Sequence, residues 1–214
     1  TGKMEIKWEH GTKKIKGVPV LQDVTKTFTG GCIYGLSGKN GCGKTMLMRT
    51  MAGLIYPTGG AVKINGKTLG KDISFPPSMG LLIENPAFLR GYTGMENLEI
   101  LAKVQGGVPQ DEIRATLEQV GLDPDDKRKY YKYSLGMRQR LGIAAAIMGK
   151  PDIILLDEPI NAIDAEGVSV IRDAIRALMD DERIIIIACH DKEEMEYMAD
   201  TILYMSEGRL EEGA

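Results

Sequence analysis
The chain reads as an α/β fold built on a mostly parallel sheet, and three observations predict it. Apolar runs of strand length alternate with helix-period patterns over much of the chain. A glycine-rich segment, Gly38 to Thr45, follows one such run, Cys32-Ile33-Tyr34-Gly35-Leu36, and opens a helix pattern. A second run, Ile153-Ile154-Leu155-Leu156, ends in two adjacent carboxylates, Asp157 and Glu158. That is the strand end where open α/β sheets hold ligands.

Taken in order, the N-terminal third departs from simple alternation. Val20 to Phe28, and Ala61 to Ile64 followed by an Asn65-Gly66 turn, read as antiparallel hairpin material. From about Asn85 to Gly149 the pattern turns helical. Thr93-Gly94-Met95-Glu96 has the spacing of a capping box opening a helix through Val104, and Gln110 to Val120 reads as another. Beyond Pro151 the alternation resumes: the Ile153 to Leu156 strand, then a helix around Val168 to Met179 with Val168, Ile171, Ile175 and Leu178 on one face, then a strand from Arg183 to Cys189. The expected organisation is one domain, 1–214, with an α/β core of about 1–84 and 150–214 interrupted by a helical insert of about 85–149.

Composition narrows the function classes. With 214 residues, 43% hydrophobic, the chain is long enough for one sizeable core. A net charge of −3 gives no support to nucleic-acid binding. No apolar stretch, that from Ile184 to Cys189 included, approaches the ~20 residues a membrane-spanning helix needs. Nothing at the N-terminus resembles a signal peptide, so a cytosolic location is expected. Cys32, Cys42 and Cys189 are odd in number and widely spaced, which fits reduced thiols better than a disulfide framework or a zinc site.

Gly38-Lys39-Asn40-Gly41-Cys42-Gly43-Lys44-Thr45 fits the phosphate-binding loop G-x-x-x-x-G-K-[ST]. Its glycines let the backbone curl so that N–H groups point inward at phosphate oxygens, and the following helix adds the positive end of its dipole. Lys44 supplies a mobile charge for the β- and γ-phosphates, and Thr45 a hydroxyl ligand for Mg²⁺. At the second site, Asp157 is expected to organise the Mg²⁺ shell. Glu158 is expected to hold and deprotonate the water that attacks the γ-phosphate.

With these residues in hand, the chain resembles the nucleotide-binding subunits of ATP-binding cassette (ABC) transporters along essentially its whole length. Ser134-Leu135-Gly136-Met137 occupies the place of that family's signature, usually Leu-Ser-Gly-Gly-Gln. His190 matches its switch histidine, and Asn161-Ala162-Ile163-Asp164 its D-loop. The resemblance implies an ABC-type P-loop NTPase fold with an N-terminal antiparallel β subdomain and a helical subdomain. It also implies Mg²⁺-dependent ATP hydrolysis, with nucleotide contacts from Gly38, Asn40, Gly41, Cys42, Gly43, Lys44, Thr45 and Met46. Ser134, Leu135, Gly136 and Met137 would face the ATP held by another subunit, with Asp164 at the dimer interface and His190 at the γ-phosphate. Two ATP are then buried between head-to-tail subunits, either two copies of this chain or one copy and a homologous ATPase. The implied partners are transmembrane permease subunits, gripped near Glu84 to Tyr92, which place the chain on the inner face of the cell membrane.

Departures from the family pattern are informative. Leu135 replaces the first signature glycine and Met137 the glutamine, while the hydroxyl and the second glycine remain. In Met79-Gly80-Leu81-Leu82-Ile83-Glu84-Asn85-Pro86, Glu84 stands where the family has a metal-reaching glutamine. Glu84 and the Ser-Leu-Gly-Met signature together resemble the branch that handles bacitracin and lantibiotics, which implies export of a peptide antibiotic or similar amphiphile. The usual adenine-stacking aromatic is missing: counting back from Val20-Leu21, its slot falls on Ile15, with Trp8 and His10 reachable only in another register. The remaining function class is a soluble ATPase of the same architecture acting on a non-membrane partner such as DNA or ribosomes. No long heptad segment between Lys44 and Ser134 and no second cassette favours it.

Overall fold
The computed structural model describes residues 2–84 and 87–212. Asn85 and Pro86, which fall in the expected link to the helical insert, lie outside the described residues, as do Thr1 and the last two positions of the 1–214 span. The elements run β1 (Glu5–Ile15), β2 (Val18–Thr29), β3 (Cys32–Ser37), α1 (Lys44–Met51), β4 (Gly59–Ile64), β5 (Lys67–Thr68), β6 (Met79–Leu82), α2 (Gly94–Val104) and α3 (Gln110–Gln119). After a short 3-10 turn at Tyr130–Lys132 come α4 (Leu135–Ile147), β7 (Ile153–Asp157), α5 (Ala165–Leu178), β8 (Ile184–Cys189), α6 (Lys192–Met198), β9 (Thr201–Ser206) and β10 (Arg209–Glu212).

Two sheets organise them. A four-stranded antiparallel sheet has the order β2-β1-β4-β5, and a six-stranded sheet the order β10-β9-β3-β8-β7-β6. The second is parallel apart from β10, which pairs antiparallel at its edge. The Asn65-Gly66 turn joins β4 to β5 with both residues at positive φ, 49° and 82°, the geometry this dipeptide favours in a two-residue hairpin.

The unbroken apolar runs of β7 and β8 follow from cover on both faces. Ile154, Leu156, Ile185 and Ile187 join one core with α2 to α6, while Ile153, Leu155, Ile184 and Ile186 join the other with α1 and the antiparallel sheet. Each fully buried side chain of this kind contributes ~1.5–3 kcal/mol of transfer free energy. Helix α4 comes so close to β6 that a Cβ at Gly80 would lie 1.7 Å from the Ala146 carbonyl oxygen. A glycine there lets the helical region dock backbone to backbone against the sheet.

Helix starts follow their caps. Thr93 and Glu96 form the reciprocal capping box at α2: the Thr93 hydroxyl accepts from the Glu96 N–H at 3.1 Å, and Glu96 accepts from the Thr93 N–H at 3.0 Å. Helix α5 begins at Ala165, three residues before the expected Val168, because the Asp164 carboxylate caps it by accepting the Gly167 N–H at 2.8 Å.

Candidate functional site
Strands β3 and β7 both lie next to β8, and they end level: Ser37 pairs with Cys189, and Asp157 with Ala188. The loop after β3 and the carboxylates after β7 therefore meet at the carboxyl ends of the central strands flanking β8. Gly43, at φ 113°, ends the loop in a conformation that an L side chain rarely adopts. Helix α1 starts at Lys44 with no side-chain cap and no acid in its first turn, so its N-terminal donors face the crevice.

A cavity of about 720 Å³ opens there. Asn40, Gly41, Gly43, Lys44, Thr45 and Met46 line it, joined by Arg49, Glu84, Asp157, Glu158, Glu207 and Gly208, with Val18, Pro19, Val20 and Gln22 as the far wall. Gly38 and Cys42 stand behind that surface; Cys42 is buried, and a Cβ at Gly38 would press on its sulfur. Ile15, the expected adenine position, closes β1 and pairs with Val18 across the Lys16-Gly17 turn. Val18, 61% exposed, lines the cavity, so Ile15 stands one strand partner from its wall.

Within the cavity, Lys44 is 5% exposed, and its ammonium donates to the carbonyl oxygens of Gly38 and Lys39. The Thr45 hydroxyl donates to Asp157 Oδ2 at 2.7 Å. Burial pushes the Asp157 carboxyl above its ordinary range, reinforced by the charges of Glu158 and Glu84 and opposed by Thr45 and Lys44. A hydroxyl and a buried carboxylate in contact form the all-oxygen donor set that a hard divalent cation takes, so Thr45 and Asp157 fit Mg²⁺. Glu84, at φ 60°, lines the same cavity, but its carboxylate is engaged by the Arg49 guanidinium from α1. Sequence reasoning missed Arg49. Its position seven residues beyond Cys42 on a helix carries no signal until the fold brings Glu84 to it.

Glu158 sits in the left-handed region, φ 49°, with its N–H donating to the Ala188 carbonyl at 2.8 Å. Its Oε1 lies 2.9 Å from His190 Nδ1 and accepts the His190 N–H at 3.1 Å. The Cys189 thiol lies just beneath; burial above all pushes it up to about 12. A second residue missed from the sequence is Gln139 on α4. Its amide Nε2 donates both to the Glu158 carbonyl, at 2.9 Å, and to the Pro159 carbonyl, at 3.0 Å.

Ser134 caps α4 by accepting the Met137 N–H at 3.1 Å. Together with Leu135, Gly136 and Met137 it lines a different hollow, shared with Arg140, Ala162, Ile163 and Asp164. Arg140 reaches towards Asp164 at 3.9 Å and donates to the Val120 carbonyl at 3.0 Å. The expected site residues thus fall into two groups. None of Ser134, Leu135, Gly136 and Met137 touches the cavity that the phosphate-binding loop lines.

A phosphate loop and a carboxylate pair at the carboxyl ends of central parallel strands, with a helix-capping serine on a separate hollow, are the arrangement of an ABC-type ATPase. The chain belongs to the ABC transporter family, whose profile matches residues 21–161, and it is an ATP-binding subunit of that family, an ATPase. It is 48% identical over 200 residues to the ABC transporter ATP-binding protein YybJ of Bacillus subtilis (strain 168), covering 94% of this chain and 92% of that one. It is 42% identical over 209 residues to the bacitracin transport ATP-binding protein BcrA of Enterococcus faecalis, covering 97% of this chain and 68% of that one. It is also 32% identical over 192 residues to the lantibiotic transport ATP-binding protein SrtF of Streptococcus pyogenes, covering 89% and 82%. The fold matches the dimeric ABC transporter cassette MJ0796 with a TM-score of 0.86 at 23% identity, covering 96% of both chains.

Proposed function
We propose that this chain is the energising subunit of a peptide-antibiotic exporter, working as one ATPase domain that closes head-to-tail on a second ATPase subunit around two ATP and drives a separate transmembrane permease. The observation that carries the pairing is the division of the site. The phosphate loop, Asp157 and Glu158 share one cavity, whereas Ser134 and Gly136 line another. A helix N-terminus suited to phosphate, on a surface away from this chain's own loop, is accounted for by a nucleotide held on a partner.

In that arrangement Lys44 leaves the loop carbonyls for the β- and γ-phosphate oxygens, and Thr45 and Asp157 hold Mg²⁺, with Glu84 beside them. When bound, the ion would supply positive charge to neutralise the phosphates. Glu158 takes the proton of the attacking water while His190, against its carboxylate, steadies the charge that develops on the γ-phosphate. ATP binds the closed pair better than the open one, so binding drives closure and hydrolysis releases it.

Export of a peptide antibiotic rests on the relatives named for bacitracin and lantibiotic transport, together with Glu84 and the Ser-Leu-Gly-Met signature. No helix among the described residues is long and apolar enough to cross a membrane, so on this reading the chain reaches the inner face of the membrane through its permease. The test is Glu158→Gln on gel filtration: saturating Mg-ATP should shift it to a dimer, alone or with its permease. A variant that stays monomeric in both settings refutes the pairing. Export is tested separately, by co-expressing chain and permease and measuring survival under bacitracin or a lantibiotic. An unchanged inhibitory dose for both refutes the substrate class, and a soluble ATPase acting on a non-membrane partner then becomes the better reading.

A further inference from the structure
We propose that Cys189, His190 and Glu158 form a binding site for a thiophilic divalent cation of the zinc type, and that its occupation shuts off ATP hydrolysis. Among the described residues, a thiol sulfur, an imidazole nitrogen and a carboxylate oxygen from these three all lie within 4.8 Å of one another. Tetrahedral zinc, with bonds of ~2.3 Å to sulfur and ~2.0–2.1 Å to nitrogen and oxygen, needs its ligand atoms roughly 3.3–3.7 Å apart. The Glu158 to His190 contact is already 2.9 Å, so the required adjustment is about an ångström of side-chain rotation.

The scaffold supports such a site. Cys189 and His190 come from the end of β8, and Glu158 from the turn after β7, the strand paired beside it. Cys189 is the last residue of β8, and Glu158 and His190 each follow directly on the end of a paired strand, so all three are anchored within one residue of the sheet. Cys189 is buried and forms the floor, while the Glu158 side chain is 25% exposed and that of His190 53% exposed. That leaves an entry path and a fourth position for water. Sulfur and imidazole together select a borderline-soft ion over Mg²⁺, which prefers oxygen and octahedral geometry. Thr45 and Asp157, by contrast, offer oxygen only, so ligand type separates the two cations. As the sulfur–metal bond forms, the thiol proton passes to solvent.

Occupation would take up the Glu158 oxygen and the His190 nitrogen that the reaction needs. This inhibitory half rests on the roles proposed above for those two residues; the binding half does not.

The binding half is read with cadmium, whose bond to a thiolate gives an ultraviolet charge-transfer band, and with zinc in competition with a chromophoric chelator. The band should saturate at one ion per chain, vanish in both Cys189→Ser and Cys189→Ala, and survive in Cys32→Ser. His190→Ala should weaken zinc binding by about tenfold or more. A band that persists in both Cys189 variants, or disappears in Cys32→Ser, overturns the site. The inhibitory half is read as Mg-ATP hydrolysis against added zinc. Cys189→Ser, checked for a wild-type melting temperature, should keep the basal rate and need at least about tenfold more zinc for half inhibition. Equal sensitivity of the two proteins overturns inhibition through this site. A chain that binds cadmium through Cys189 yet hydrolyses no ATP with any partner refutes the roles given to Glu158 and His190, and inhibition with them, leaving the metal site standing.

Discussion
Replacing Gln139 by leucine tests whether helix α4 sets the position of Glu158, the general base proposed above. The side chain is similar in volume, but the leucine removes the amide that donates to both the Glu158 and Pro159 carbonyls, at 2.9 and 3.0 Å. Each such bond contributes about 0.5–1.5 kcal/mol net. Glu158 is held at φ 49°, a conformation that costs a non-glycine residue about 1–3 kcal/mol and persists only where its surroundings enforce it. Loss of both bonds therefore removes about 1–3 kcal/mol of support from the turn carrying the carboxylate. If that support is needed to align Glu158 with the attacking water, kcat falls by about 5- to 150-fold, since each 1.36 kcal/mol is tenfold. KM for ATP should change by less than about threefold, because Gln139 does not line the cavity of the phosphate loop. The assay is steady-state hydrolysis by the assembly that turns over ATP, alongside nucleotide binding and thermal melts. Gln139→Asn, which keeps the amide on a shorter arm, should recover part of the rate. A kcat within about twofold of wild type, or a matching rise in KM, would show that Gln139 serves packing and that the base is held without it.

Two further outcomes follow from the cavity. Burial raises the Asp157 carboxyl above its ordinary value of 3.8, so the folded chain holds that proton more tightly than the unfolded one. Stability from this group is present below the ordinary value and declines as pH rises through it to the raised one. Asp157→Asn should therefore raise the melting temperature of the nucleotide-free protein at neutral pH, by ~2–4 °C for a gain of ~1 kcal/mol, with no gain below about pH 4, while abolishing Mg-ATP hydrolysis. An unchanged or lower melting temperature at neutral pH contradicts it. Val18 and Pro19 form the wall on the hairpin side without an aromatic ring, so ATP and GTP should bind within about tenfold of each other. Val18→Tyr should tighten both by ~1–3 kcal/mol, the scale of base stacking; strong ATP preference in the wild type, or no gain in Val18→Tyr, rejects this wall as the base site.

What the sequence revealed and what it hid divide along the range of the interactions. The phosphate loop, the Thr93 capping box, the Asn65-Gly66 turn and the β7 and β8 strands are local in cause, since each is set by residues a few positions apart. The lipophilic faces of β7 and β8 could be read only as buried on both sides, without naming what covers them. A count along one strand also cannot see that the hairpin turns at Lys16-Gly17, which brings Val18 of β2 to the cavity wall beside Ile15 of β1. Gln139 and Arg49 stayed hidden for a different reason. Both are ordinary helix residues locally, and their partners, the Glu158 carbonyl and the Glu84 carboxylate, meet them only through the docking of α4 and α1 on the sheet.

The polar groups assigned to turnover are each satisfied within the chain. Lys44 donates to its own loop carbonyls, Thr45 to Asp157, the His190 N–H to Glu158, and the Met137 N–H to Ser134. Nucleotide binding is consequently an exchange of partners, in which most of the gross hydrogen-bond energy cancels. On the proposed reading the net drive comes from interactions the empty chain does not make: phosphate charge against the α1 and α4 N-termini, and Mg²⁺ against a carboxylate whose charge burial disfavours. Since the α4 terminus lines a hollow apart from the phosphate loop, a lone chain can offer its nucleotide only part of that drive. On the proposed pairing, the affinity gained includes what Ser134 and Gly136 contribute. Ser134→Ala should therefore weaken ATP-driven dimerisation of the Glu158→Gln protein by more than it weakens ATP binding to the monomer, whereas equal losses in both would place Ser134 in support of its own helix alone.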